Sequence, residues 1–88
     1  MRVDRMELRI GKLYRLGYPM RLNTYHPLDS DMKDGDMKFI DVLQISSLVV
    51  LLDTLDTKYM SYVKLLSSQG RVGWCQYYKS LPMLEEID

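Results

Sequence analysis

Apolar and polar positions alternate most regularly in the last third of the chain. Over Tyr59 to Leu66, Tyr59, Val63 and Leu65 fall on one side and Met60, Tyr62, Lys64 and Leu66 on the other. A period of two is the signature of a strand with two unlike faces. Ser67-Ser68-Gln69-Gly70 follows, a turn-rich tetrad ending in the residue that adopts a left-handed conformation at least cost. Arg71 to Gln76 resumes the strand pattern, with Gly73 leaving room for a backbone or an aromatic ring. The two stretches are predicted to form a hairpin. Tyr77 to Ser80 reads as one helical or 3₁₀ turn. Pro82 then opens a short edge strand, Met83 to Ile87, where its missing donor is tolerated.

Upstream the pattern is less regular. Arg9 to Leu16 alternates imperfectly, with Ile10, Leu13, Tyr14 and Leu16 interrupted by Gly11, Lys12 and Arg15, and suits a first strand entered through a glycine. Gly17 to Asp36 carries Pro19, Pro27, Gly35 and the cluster Asp29-Ser30-Asp31, and predicts one long irregular loop. Lys38 to Leu55 supports two readings. Val42, Ile45, Val49, Leu52 and Leu55 recur at helical spacing, whereas the run Leu48 to Leu52 and the adjacent Ser46 and Ser47 favour two strand pieces broken at the serines. The strand reading is preferred. The helical one would make the chain a helical assembly factor.

Composition narrows the function classes. Eighty-eight residues make one domain, and 47% apolar with 27% charged residues is ordinary for a folded protein. The longest apolar run falls far short of the roughly 20 residues that cross a bilayer. Nor does the charged start from Met1 to Arg15 build the apolar core of a signal peptide. These features predict no membrane contact and a cytoplasmic chain, in a host cell or within a particle assembled there. Twelve basic residues balance twelve acidic ones, which disfavours non-specific binding to nucleic acid. The balance is uneven, since Arg2, Arg5, Arg9, Lys12, Arg15 and Arg21 precede an acidic middle running from Asp29 to Asp56.

Candidate chemistry is sparse. The lone Cys75 lies in a predicted strand and reads as a small buried apolar side chain, not as a nucleophile. The single histidine, His26, sits near Asp29 and Asp31 without the glycine and terminal glutamate of a calcium loop. No phosphate loop, carboxylate dyad or nucleophile–base pair is present. The expectation is therefore a non-enzyme with no catalytic, metal or cofactor-binding residue.

The stretch from Tyr62 to Cys75, with its glycine-bearing turn and the triplet Gly73-Trp74-Cys75, resembles the distal hairpin of SH3-like and bacterial SH3 domains. Ile10-Gly11-Lys12-Leu13-Tyr14 resembles that family's opening strand, and residues 17–36 its long first loop. The turn and strand after Trp74 match its ending, although the spacing from Trp74 to Leu81 is about one residue longer than usual. Small stand-alone chains of this build also resemble phage-encoded and environmental proteins. The resemblance implies an all-β fold, a small five-stranded SH3-like barrel with a long first loop and a short 3₁₀ turn before the last strand. It also implies an aromatic ligand groove between that loop and that turn. By position Tyr18, Tyr25, Trp74, Tyr77 and Tyr78 would line the groove and bind a protein or peptide partner, with Trp74 partly exposed and Cys75 turned to the core. The chain would act as a monomer or small homo-oligomer. The alternative is a small-barrel nucleic-acid binder using the basic N-terminal arm and exposed tyrosines.

Overall fold

A computed structural model describes residues 8–23 and 39–87. They form seven strands and no helix: β1 (Leu13–Leu16), β2 (Met20–Asn23), β3 (Phe39–Leu43), β4 (Leu48–Asp56), β5 (Ser61–Ser67), β6 (Val72–Tyr77) and β7 (Leu84–Glu86). All belong to one sheet in the order β3-β2-β6-β5-β4-β1-β7, antiparallel at every junction. The sheet curls into a half-barrel whose end strands are β3 and β7.

The all-β expectation holds, but the strand count is seven where five were expected. β2 lies in the stretch read as a single loop, and β3 is the first of the two strand pieces expected from Lys38 to Leu55. Immediately after Pro19, Met20 and Leu22 are buried while Arg21 is exposed. Two inward side chains suffice for a short strand, and β2 pairs along β3 from Met20↔Leu43 to Asn23↔Phe39. Residues 24–38, including Tyr25, His26 and the acidic cluster, lie outside the described residues. The expected 3₁₀ turn is instead a single turn closed by the Leu81 N–H donating to the Tyr78 carbonyl at 3.0 Å.

The break between β3 and β4 falls at the predicted serines. Ser46 has a φ of 74°, a left-handed conformation no regular strand contains. The displaced backbone is satisfied by the end of β1: Ser46 N–H donates to the Leu16 carbonyl at 2.8 Å, and Leu16 N–H to the Ser47 carbonyl at 2.9 Å. Val42 and Ile45 are exposed and Val49 buried, so the apparent helical spacing does not describe one buried face.

The core is the concave side of the half-barrel. Tyr14 and Leu16 of β1, Val49 and Leu51 of β4, Val63 and Leu65 of β5, and Cys75 and Tyr77 of β6 meet there with Met83 and Leu84. The two buried tyrosines differ from the rest in carrying a polar tip. That of Tyr14 accepts the Arg9 backbone N–H at 2.7 Å, which makes its full burial tolerable.

Two local devices hold the sheet in register. Around the β5–β6 turn the buried Ser67 hydroxyl accepts the backbone N–H groups of Gln69 and Arg71, each at 3.2 Å, and Gly70 takes a φ of 83°. In β4 the register shifts between Leu51, opposite Leu65, and Asp53, opposite Lys64. Leu52 is thus the extra residue of a β-bulge. It turns Asp53 and Leu55 to the convex side and Thr54 and Asp56 to the concave one.

Gly17 ties the end of β1 to the segment before β7. Its N–H donates to the Met83 carbonyl at 2.8 Å, and a Cβ at this position would overlap the Pro82 carbonyl oxygen. Nothing lies near the corresponding position at Gly70, where only the positive φ resists a side chain. Gly70→Ala is expected to cost about 1 kcal/mol, and Gly17→Ala about 2 kcal/mol or more because backbone must move. Urea unfolding of both variants checks the order, and equal losses would refute the close contact at Gly17.

Candidate functional site

An open cleft of about 1310 Å³ lies at one end of the half-barrel. Three pieces of chain frame it. Gly17 and Tyr18 leave β1 on one side, the turn from Lys79 to Pro82 rises on another, and the inward residues Thr54, Asp56, Ser61 and Val63 of β4 and β5 form the floor. Tyr77 reaches the cleft from β6 although it is almost fully buried. Partial burial, with the neighbouring Tyr14, pushes its pKa above the ordinary tyrosine value. Tyr77 therefore enters the cleft as a neutral ring.

The aromatic and apolar parts are Tyr18, Tyr77, Leu81 and Pro82. Tyr18 and Leu81 are each 37% exposed, a degree that leaves area for a ligand to cover. The charged parts are Asp56, Glu85, Glu86 and Lys79, and each of the three carboxylates faces a cation. Asp56 is best defined. Ser61 Oγ donates to it at 2.7 Å and Lys79 Nζ at 3.2 Å, and these bonds, Ser61's above all, hold its carboxyl below the ordinary 3.8. Glu85 and Glu86 face Arg15 and Arg9 at 3.8 Å. These contacts are exposed and weak.

The aromatic residues expected to share one groove are divided by the fold. Tyr18 and Tyr77 line the cleft. Tyr78 is exposed beside it, its hydroxyl donating to Gln76 Oε1 at 3.2 Å. Trp74 is on the other side of the sheet. It points away from the core, as alternation with Cys75 requires, but it is 7% exposed and not the partly exposed ring expected. Lys64 Nζ lies 5.9 Å from its ring centroid, and its carbonyl accepts from Asn23 Nδ2 at 3.4 Å. Tyr25 falls outside the described residues. The sequence reading missed Leu81 and Pro82. Pro82 was read as the start of an edge strand, and the missed signal was its position one residue beyond a turn, where it projects instead of pairing.

No metal cluster accompanies the cleft among the described residues. Cys75 is buried, and burial raises its thiol to about 12, the opposite of what an attacking thiolate requires. Among the described residues, no group of three His, Cys, Asp or Glu side chains is arranged to hold a metal, and no helix is long and apolar enough to cross a membrane. No known protein family matches the chain, nor does any curated protein or solved structure. What the geometry defines is a small antiparallel half-barrel with an aromatic, acid-rimmed cleft at one end.

Two measurements check this electrostatic description. In an NMR titration the Asp56 carboxyl should titrate below 3.8, and Ser61→Ala should raise its midpoint more than Lys79→Ala does. A group with a depressed folded pKa adds stability above its unfolded value and loses it as pH falls through the folded one. The Asp56 contribution should therefore disappear only on the acid side of the carboxylate range. Ellman's reagent should leave Cys75 unmodified at neutral pH and react in denaturant; rapid native labelling would contradict its burial.

Proposed function

We propose that the chain is a non-catalytic interaction module of SH3-like type that binds a protein or peptide segment in the end cleft. The observation that carries this reading is the convergence of Tyr18, Tyr77, Leu81 and Pro82 on one open cleft floored by β4 and β5. An apolar lining with a few placed polar groups suits an extended segment, whose side chains enter between rings while its backbone meets Thr54 and Ser61. The order of elements supports the SH3-like part. An opening strand, a long connection, a glycine-turned hairpin, a short turn and a last strand follow one another as the resemblance implies. β2 lies within the stretch matched to the long first loop and β3 follows it, so the sheet carries two strands more than the five that the family pattern counts.

Each rim carboxylate already faces a cation, Lys79 for Asp56, Arg15 for Glu85 and Arg9 for Glu86, so the apolar lining sets the ligand preference. The same carboxylates count against nucleic acid, because a polyanion entering the cleft would meet Asp56 first. Arg9 and Arg15, two of the basic N-terminal residues, already face Glu86 and Glu85.

A random peptide library displayed on phage supplies the test. Enriched peptides should be rich in aromatic or aliphatic residues and should shift the amide signals of Tyr18, Thr54, Ser61 and Leu81 in the labelled protein. Leu81→Asp should weaken them by at least about tenfold, as loss of an apolar anchor does. Exposed Ile45, away from the cleft, should tolerate Ile45→Asp without loss of binding. Library selection without enrichment, or shifts confined to residues outside the cleft, would reject the proposal.

A further inference from the structure

The convex side of the half-barrel carries a second organised surface. Leu13 of β1 lies opposite Val50 of β4, Val50 opposite Leu66 of β5, and Leu66 opposite Val72 of β6. The four side chains form one unbroken apolar row across four strands, and all point away from the core. Leu13 is 39% and Val72 40% exposed, with Val50 and Leu66 half-buried between them. Beside this row, Asp53 of β4 stands opposite Lys64 of β5, turned outward by the bulge at Leu52.

We infer that this convex face is a self-association surface whose partner is a second copy of the chain. The argument is one of complementarity under a two-fold rotation. An axis running along the strand direction between β4 and β5 exchanges the columns of β4 and β5 and those of β1 and β6. Val50 then meets Leu66 of the other copy, and Leu13 meets Val72. Asp53 meets Lys64, and Lys64 meets Asp53. Apolar positions fall on apolar ones and each charge on its opposite, which an isologous interface requires. A partner of one charge sign would satisfy only one member of the Asp53–Lys64 pair, whereas an inverted copy satisfies both. The chain's formal net charge of zero leaves no overall repulsion between copies. The surface does not involve the end cleft and does not rest on the function proposed for it.

Sedimentation velocity on the full chain tests the inference across the micromolar to millimolar range. The wild type should enter a monomer–dimer equilibrium. Asp53→Lys alone and Lys64→Asp alone each bring like charges together, and each should weaken the dimer at least about tenfold. Mixed in equal amounts, the two variants should recover dimer, because every contact in the heterodimer again joins opposite charges. Val72→Lys, at an exposed position outside the charge pair, should also weaken it while far-ultraviolet circular dichroism stays unchanged. A wild type that is monomeric throughout, single charge variants that dimerise undiminished, or a mixture that stays monomeric would each overturn the inference.

Discussion

Leu52 is the extra residue that lets β4 stay paired with β5 on both sides of a change in register, and the two surfaces of the sheet depend on it. Along an unbulged strand, Leu51 inward would be followed by Asp53 inward and Leu55 inward. Asp53 would then put a carboxylate beside Val63 and Leu65, in a core whose members are apolar or hydrogen-bonded. An unpaired charge there costs several kcal/mol. The bulge removes the conflict by reversing the alternation at one point. Asp53 and Leu55 go out, and Thr54 and Asp56 go in at the open end of the half-barrel, where solvent reaches them. The same residue that protects the core thereby supplies the polar floor of the cleft and the outward carboxylate of the convex face.

The register beyond the bulge is held from the other side of β5. Side chains alternate strictly with backbone position, so a slip of one residue between β5 and β6 would exchange Cys75 for Trp74 and Tyr77 for Gln76 on the inner face. The turn from Ser67 to Arg71 blocks that slip with hydrogen bonds from both arms. Ser67 N–H donates to the Arg71 carbonyl at 2.8 Å, and Gly70 N–H to that of Ser67 at 3.0 Å. Ser67 is buried and would be costly there without partners, but its hydroxyl is occupied by two backbone donors. A short turn therefore fixes which aromatic rings belong to the core and which to the outer face.

How far this was legible in the sequence follows from the same physics. The β5–β6 hairpin was readable because its two faces differ in polarity and its turn carries a glycine where a positive φ is needed. β2 was not readable, since four residues with two inward side chains give too short an alternation beside Pro19. In β4 the uniform run Leu48 to Leu52 hides its own parity. With every residue apolar, nothing in the composition says which side chain is inward or that one is surplus. Trp74 was oriented correctly by alternation, yet alternation gives direction and not cover, and the ring is covered on the face it occupies. The cleft was half legible. Tyr18 and Tyr77 could be placed beside breaks in the strand pattern, whereas Thr54, Asp56 and Ser61 reach it only through the bulge and through the pairing of Asp56 with Ser61.

The two surfaces are also separated by the way they are built. The cleft is framed by connections: the exit from β1, the Lys79–Pro82 segment and the end of the β4–β5 ladder. The convex row is framed by ladder pairs in the middle of the sheet, where each strand is held on both sides. Connections can adjust to a ligand at little cost to the core, because their backbone groups are satisfied locally, as Thr57 is by Met60 and Leu81 by Tyr78. Central ladder residues cannot move without breaking the sheet, so the convex face is presented in one conformation. An adaptable site suits a segment that must be threaded in, and a rigid face suits a surface matched to its own inverse, for which any distortion would be felt twice.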